Sequence, residues 1–333
     1  MAKTDSILFL TSSDIKNLIT MPEVIEQMRT AFVQISNGEA QVPLRTNIDI
    51  PEYHGGALFM PVYSAGEGLI GIKVVSLFKQ NPDKNLPLIH AVILLLDGTN
   101  GKPLAYMDGE YITALRTGAA SGLATDLLAR NNATTVAIFG AGVQGRTQLN
   151  AIALVRPVSR VLIFDRSRHQ GQKFADEMSR IFDFDINVAA NQSELREADI
   201  ICTATTSPVP VFSDQFIGEG THINAIGAYR PDTREIPSET VRRSKLIVDS
   251  RHSCLSEAGD ILIPIKEQLI DDNHIFAELG EIAMTIKNGR LDETEVTIFK
   301  SVGNAIQDIV VAGAVYRRAR EKKIGTEIQT TGS

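Results

Sequence analysis

Tryptophan is absent from this chain and cysteine nearly so: Cys202 and Cys254 are the only two among 333 residues. Cysteines so few and so far apart make neither a disulfide framework nor a zinc-binding spacing, which points to a reducing, cytoplasmic setting. His252 and Cys254, beside Glu257 and Asp260 on what reads as a polar loop, also lack ligand spacing, so no metal is expected. A basic surplus is missing too. With a formal net charge of −7 the chain offers no electrostatic footprint for nucleic acid. Long apolar runs are lacking: the longest, residues 91–96, is the length of a strand, so no membrane span is expected. The short apolar run 7–10 follows acidic Asp5 and precedes no small-residue cleavage pattern, so it reads as a first strand and not a secretory signal.

What is present suits two domains. The apolar share (43%) and charged share (22%) are those of a globular protein, and 333 residues exceed what one ordinary core organises. In the first third, Ser12-Ser13-Asp14 caps a short helix and Pro22 opens a second. There Val24, Ile25, Met28, Phe32 and Ile35 fall at helical spacing before Gly38 closes it. Strand-like stretches follow at 45–50, 57–62, 69–77 and 90–96, and Asp97-Gly98-Thr99-Asn100-Gly101 reads as a hairpin-type turn. Consecutive strands with short turns predict a mostly antiparallel sheet in an α+β domain.

From about residue 131 the rhythm changes. Strands at 134–139, 161–164, 186–189, 199–203, 222–226 and 246–248 alternate with helices at 144–155, 168–180 and 193–198. Doubly buried strands alternating with helices predict an α/β domain with a parallel, doubly wound sheet. The first domain is placed at residues 1–118 and the second at 119–304. A last helix, starting near Val302 with Ala305, Ile306, Ile309 and Val310 on one side, lies in a tail (305–333) expected to pack back on the first domain. Residues 326–333 read as frayed.

The first strand of the second domain runs into Gly140-Ala141-Gly142-Val143-Gln144-Gly145. A bare glycine triplet is weak evidence, but this one follows a β-branched strand, starts a helix, and precedes an acidic residue, Asp165, at the end of the next strand. That is the full dinucleotide fingerprint of a Rossmann fold. Gly140 permits the turn, Gly142 lets the backbone approach the phosphates, and Gly145 lets helix pack on strand; free N–H groups at the helix start favour the pyrophosphate. Asp165 suits the ribose hydroxyls and favours NAD(H), while Arg166, Ser167 and Arg168 leave NADP(H) open. Thr203-Ala204-Thr205 and Ala225-Ile226-Gly227, at two further strand ends, are expected to complete the cofactor site.

Three more stretches carry a resemblance: Gly71-Ile72-Lys73, Thr113-Ala114-Leu115-Arg116-Thr117-Gly118-Ala119-Ala120 and Phe299-Lys300-Ser301-Val302-Gly303. With the glycine turn between them, the chain resembles the ornithine cyclodeaminase and mu-crystallin family over residues 24–316. The resemblance implies an enzyme of small α-amino or α-imino acids with a nicotinamide cofactor, and a homodimer joined through the non-Rossmann domain. It implies that Arg45, Lys73 and Arg116 hold the substrate carboxylate, that Thr117 touches the cofactor phosphates, and that Ser301 and Val302 lie near nicotinamide and substrate. The chemistry agrees: arginine offers a planar fork for a carboxylate, and lysine a point charge that also donates a proton. Arg116 among small uncharged residues needs an anionic partner.

One departure bears on the reaction. Ornithine cyclodeaminases carry an Asp acid–base after the strand that ends here at Gly227; this chain reads Ala228-Tyr229-Arg230-Pro231-Asp232-Thr233-Arg234-Glu235. Tyr229 takes the place of that Asp, and Asp232 is the candidate stand-in. Without the carboxylate, a reaction needing one hydride and one proton survives better than cyclodeamination, which moves protons at the amine repeatedly. The variant is similar to the ketimine-reductase side of the family. Leu88 departs at a position where a Thr often touches the cofactor. The expectation is an NAD(P)H-dependent reductase of cyclic ketimines such as Δ1-pyrroline-2-carboxylate or Δ1-piperideine-2-carboxylate, with Lys73 or a bound water serving the ring nitrogen. Ornithine cyclodeaminase, an alanine dehydrogenase-type enzyme and a non-catalytic cofactor-binding protein are the alternatives. Tyr53, His54 and His90 are further pocket candidates.

Overall fold

The computed structural model describes residues 6–329, so Asp5 and the end of the tail, 330–333, lie outside the described residues. In chain order the early elements are β1 (Ser6–Leu10), α1 (Ser12–Lys16), α2 (Met21–Ser36), β2 (Ala40–Gln41), β3 (Thr46–Ile50), β4 (Gly55–Ser64), β5 (Leu69–Phe78), β6 (Ile89–Asp97), β7 (Pro103–Asp108) and α3 (Gly109–Leu128). Next come β8 (Thr135–Phe139), α4 (Val143–Val155), β9 (Arg160–Phe164), α5 (Arg168–Met178), β10 (Asp185–Val188), β11 (Ile200–Thr203), β12 (His222–Ala225), α6 (Ser238–Arg243) and β13 (Lys245–Val248). The last are α7 (Arg251–Glu257), α8 (Gly259–Lys266), β14 (Ile275–Glu278), α9 (Leu279–Ala283), β15 (Thr297–Lys300), α10 (Ala305–Lys322) and β16 (Thr326–Gln329). They form two compact units, Met1–Arg116 with Asn304–Ser333, and Thr117–Gly303.

In the first unit, β4 to β7 run as an antiparallel meander, β1 pairs parallel to β7, and β16 closes the edge antiparallel to β1. Residues 326–329, expected to fray, are therefore a strand held by ladder bonds. Thr11 and not Ser12 caps α1: its hydroxyl accepts from the Asp14 N–H while the Asp14 carboxylate accepts from the Thr11 N–H at 2.9 Å. Helix α10 packs on β4, β5, β6 and α2 and is buried on all sides over residues 305–315. Two glycines allow that approach: a Cβ on Gly71 would meet Ile309 Cδ1 at 2.2 Å, and one on Gly313 would meet Leu69 Cδ1 at 2.7 Å. The helix begins at Ala305, not Val302, because Gly303 holds a φ of +72° just before it.

The second unit is an all-parallel sheet in the order β10-β9-β8-β11-β12-β15-β13-β14. Apolar cores cover both faces, one around Ile201, Ile223, Ile236 and Ile298, the other around Ile138, Leu149, Val161 and Phe174. Strand order reverses direction at β8 and β11, the switch point where such sheets take ligands. Several elements were not expected. Helix α3 is rich in small residues and largely buried between Ile112 and Thr125, so it has no amphipathic stripe to read. Strands β14 and β15 were missed, residues 192–197 form a 3-10 turn instead of an α-helix, and His252 and Cys254 lie on α7 instead of a loop.

Candidate active site

The glycine turn bridges β8 and α4. Gly140 adopts a φ of +99°, and a Cβ there would sit 2.5 Å from the Ala204 carbonyl, so only glycine lets this turn pass the end of β11. A Cβ on Gly145 would strike the Gly140 carbonyl at 2.3 Å. Gly142 caps α4 with nothing within 4 Å of its missing side chain, and it and Val143 are exposed, leaving the helix start open to a pyrophosphate. Asp165 stands beside the turn, its carboxylate accepting the Ala141 N–H at 2.8 Å through one oxygen and the Ser167 N–H at 2.8 Å through the other. Each oxygen keeps a second lone pair for a ribose hydroxyl. Arg166, Ser167 and Arg168 are exposed, and the Ser167 hydroxyl caps α5. Gln144 is half-buried, and the Thr117 carbonyl accepts from Gln148 Nε2 at 3.2 Å.

The strand ends at Thr203-Ala204-Thr205 and Ile226-Gly227 are tied together by a residue the motifs did not flag. Glu235 accepts the Thr205 N–H at 2.7 Å with one carboxylate oxygen and the Gly227 N–H at 2.8 Å with the other. A Cβ on Gly227 would lie 2.5 Å from both oxygens, which explains the glycine. Asp260 accepts the Glu235 and Ile236 N–H groups, and Lys300 reaches Asp260 at 2.7 Å. Burial, then repulsion from Asp260, raises the Glu235 pKa. Ser301, expected beside nicotinamide, donates its hydroxyl to Asp249 at 2.7 Å and so has its proton committed within the fold. Val302 is buried in the unit's core, and Tyr229 packs half-buried against that core.

A second cluster lies in the first unit. On β5, Leu69, Gly71 and Lys73 share the buried face that α10 covers. Because Gly71 lets α10 come close, Asp308 reaches Lys73 Nζ at 2.7 Å, and both side chains are almost wholly buried. The other Asp308 oxygen accepts from Arg116 Nε at 3.0 Å, and Gln307 accepts from Arg116 Nη1. Burial pulls the Lys73 pKa down to about 8; Asp308 works against that shift while Arg116 and Arg45 add to it. Arg45, half-buried before β3, is thus within electrostatic reach of Lys73. The sequence singles out Lys73, Arg45 and Arg116 but misses Asn304, Gln307 and Asp308. Their signal was three polar residues at i, i+3 and i+4 in an otherwise apolar helix.

Asp232 does not fit an acid–base role. Its side chain is 64% exposed and pairs with Arg230 at 3.1 Å, which holds its pKa below the usual carboxylate value. His90 is half-exposed against Glu110, and Tyr53 is exposed at the tip between β3 and β4. His54 takes a left-handed φ of 49° there. Both cysteines are buried and their thiols are pushed up, that of Cys202 to about 12, so neither is a nucleophile.

A sequence model of the Ornithine cyclodeaminase/mu-crystallin family matches residues 6–323. The Δ1-pyrroline-2-carboxylate reductase of Thermococcus litoralis, solved in complex with NADH and L-proline, is similar at 46% identity and a TM-score of 0.93, over 97% of this chain and 100% of that one. The Δ1-pyrroline-2-carboxylate reductase of Bacillus cereus is 38% identical over 325 residues, 97% of this chain and 100% of the relative. An archaeal alanine dehydrogenase dimer with bound NAD has 33% identity and a TM-score of 0.92, over 98% of this chain and 100% of that one. The chain belongs to the ornithine cyclodeaminase/mu-crystallin family.

Proposed function

We propose that the protein is an NAD(H)-dependent reductase of cyclic α-imino acids, with Δ1-pyrroline-2-carboxylate as the favoured substrate. The observation that carries this reading is that two buried cations, Lys73 and Arg116, share the single carboxylate of Asp308. Buried charge wants balance, and one substrate carboxylate restores it. Arg116 and Arg45 bind and orient that carboxylate, while Lys73, poised near neutrality, holds the proton destined for the ring nitrogen. The Gly140–Gly145 turn, Asp165 and the ends of β11 and β12 hold the dinucleotide, with Thr117 tied to α4 by the hydrogen bond that its carbonyl accepts from Gln148. NADH, when bound, supplies the hydride that adds to the imine carbon; Lys73 supplies the proton, so C=N becomes CH–NH and the lysine is left neutral. Asp165 makes NAD(H) the preferred cofactor.

In this reading the unit of residues 1–116 and 304–333 is the substrate and dimer domain, and 117–303 is the cofactor domain, two residues earlier at the first boundary than the sequence suggests. A homodimer fits the half-exposed apolar residues Ile48, Ile70, Ile89 and Tyr106 on the first unit's sheet, and the similar alanine dehydrogenase is a dimer. Two buried, unpaired cysteines suit a cytoplasmic setting. Among the described residues no helix is long and apolar enough to cross a membrane. The test is NADH oxidation with Δ1-pyrroline-2-carboxylate, with proline identified as product. Ammonia release from ornithine at a comparable rate would replace this reading with cyclodeamination.

A further inference from the structure

Helix α10 presents a polar face that the cation cluster does not use up. Asn304 is its N-cap and is 3% exposed, yet its side chain makes no capping bond. Asparagine normally earns that position by accepting an N–H of the first turn. Here neither Oδ1 nor Nδ2 has a hydrogen-bond partner among the described residues, and neither does Nε2 of Gln307, one turn along. Asp308 completes the i, i+3, i+4 row, so the unpartnered amides lie on the face that pairs with Lys73 and Arg116. Leaving buried polar atoms unmatched costs about 1–3 kcal/mol each, so a fold that tolerates three in one row is holding them for a ligand.

We propose that the Asn304 amide is a substrate contact that reads the ring N–H and the adjacent carboxylate together. A cyclic α-imino acid that has taken up the Lys73 proton presents a donor N–H next to a carboxylate oxygen. The amide presents the complement, Oδ1 to accept and Nδ2 to donate. Gln307, its oxygen engaged by Arg116, turns Nε2 to the same carboxylate. Together they select an imino acid over a plain carboxylic acid, which the two cations cannot do. The inference rests on the imino-acid reading above and adds the group that recognises the nitrogen.

Two unreactive probes of nearly one shape separate these points: pyrrole-2-carboxylate, with a ring N–H beside its carboxylate, and furan-2-carboxylate, with an oxygen there. Calorimetric titration into the cofactor-saturated full-length protein is expected to show pyrrole-2-carboxylate binding tighter by about tenfold or more, since an unmatched buried acceptor penalises the furan. Asn304→Leu should abolish that preference, weaken both acids through the lost Nδ2 contact to the carboxylate but the pyrrole acid more, and raise the melting temperature of the ligand-free protein by removing two unmatched atoms. A preference that survives in Asn304→Leu overturns the Asn304 assignment while leaving the carboxylate site intact. Failure of the wild type to bind either acid overturns the carboxylate site and the inference with it.

Discussion

Two lysines in this protein are buried to the same degree and paired at the same distance, yet they behave in opposite ways. Lys73 meets Asp308 at 2.7 Å and Lys300 meets Asp260 at 2.7 Å, with side chains at most 2% exposed in both pairs. Burial opposes the charge of both. Around Lys300 the carboxylates of Asp260 and Glu235 more than offset it, so its pKa is raised. Around Lys73 the single Asp308 is shared with Arg116 and Arg45 adds repulsion, so its pKa falls to about 8. The pair alone does not decide a lysine's state; the surplus charge behind it does. One pair is finished as built, and the other is one anion short.

Removing each lysine should break the comparison most sharply. Lys73→Met leaves Asp308 with Arg116 and removes a poorly solvated cation, so the fold is expected to keep or gain stability. The proton for the ring nitrogen is lost, and turnover should drop by about a hundredfold or more, with cofactor binding spared. Lys300→Met leaves Asp260 and Glu235 buried without a counter-charge and should cost about 3–5 kcal/mol of stability. Denaturant melts and steady-state rates on both variants check this; equal destabilisation would show that both pairs are merely structural.

How much of this contrast can be read from the chain alone depends on where the charges come from. The glycine turn and Asp165 are local: their roles need only a strand, a turn and a helix in sequence. Lys73, Arg45 and Arg116 stand out as cations in small-residue or apolar surroundings that match a family motif. Asp308 does not, because it sits in a helix whose apolar positions dominate the pattern, and its meaning depends on Gly71 admitting α10 onto β5. Glu235 is likewise plain in sequence and acquires its role only when two strand ends converge on it. Asp232 illustrates the reverse error. It lies near the right place in sequence but points to solvent against Arg230. Among the elements that were not legible, α3 is rich in small, largely buried residues that leave no stripe, and β14 and β15, four residues each, are too short to show a period.

The charge surplus also makes a pH prediction. In imine reduction the acid form of Lys73 is the active one, so kcat/KM should fall as pH rises through about 8, the value for the free site. Once the substrate carboxylate is bound, its charge favours protonated Lys73, and the kcat limb should lie at higher pH. Asp308→Asn removes the group that opposes the downward shift and should move both limbs to lower pH. Stability carries the opposite sign: between about 8 and the ordinary lysine value of ~10.4 the unfolded chain binds more protons at this residue, so Lys73 adds stability as pH rises. Lys300 does the reverse, its contribution present below the unfolded value and lost as pH rises through its raised folded one. Rate profiles flat across that region, in both parameters, would remove Lys73 from the proton step.

The smallest expected effect is at Glu235, where geometry and charge can be separated. Glu235→Gln keeps one oxygen for the Thr205 or Gly227 N–H but turns an NH2 towards the other, a loss of about 1.5–3 kcal/mol for a bond to a charged acceptor. Burial and repulsion from Asp260 already make the charge unfavourable, so neutralising it returns part of that loss. The net destabilisation should therefore fall well below that of Lys300→Met. What should change is the cofactor: with the two strand ends no longer held by one carboxylate, the KM for NADH should rise severalfold. The KM for the imine, measured at saturating NADH, should stay. A melt as damaged as that of Lys300→Met would mean that the Glu235 charge, and not its span between two backbone amides, is what the fold needs.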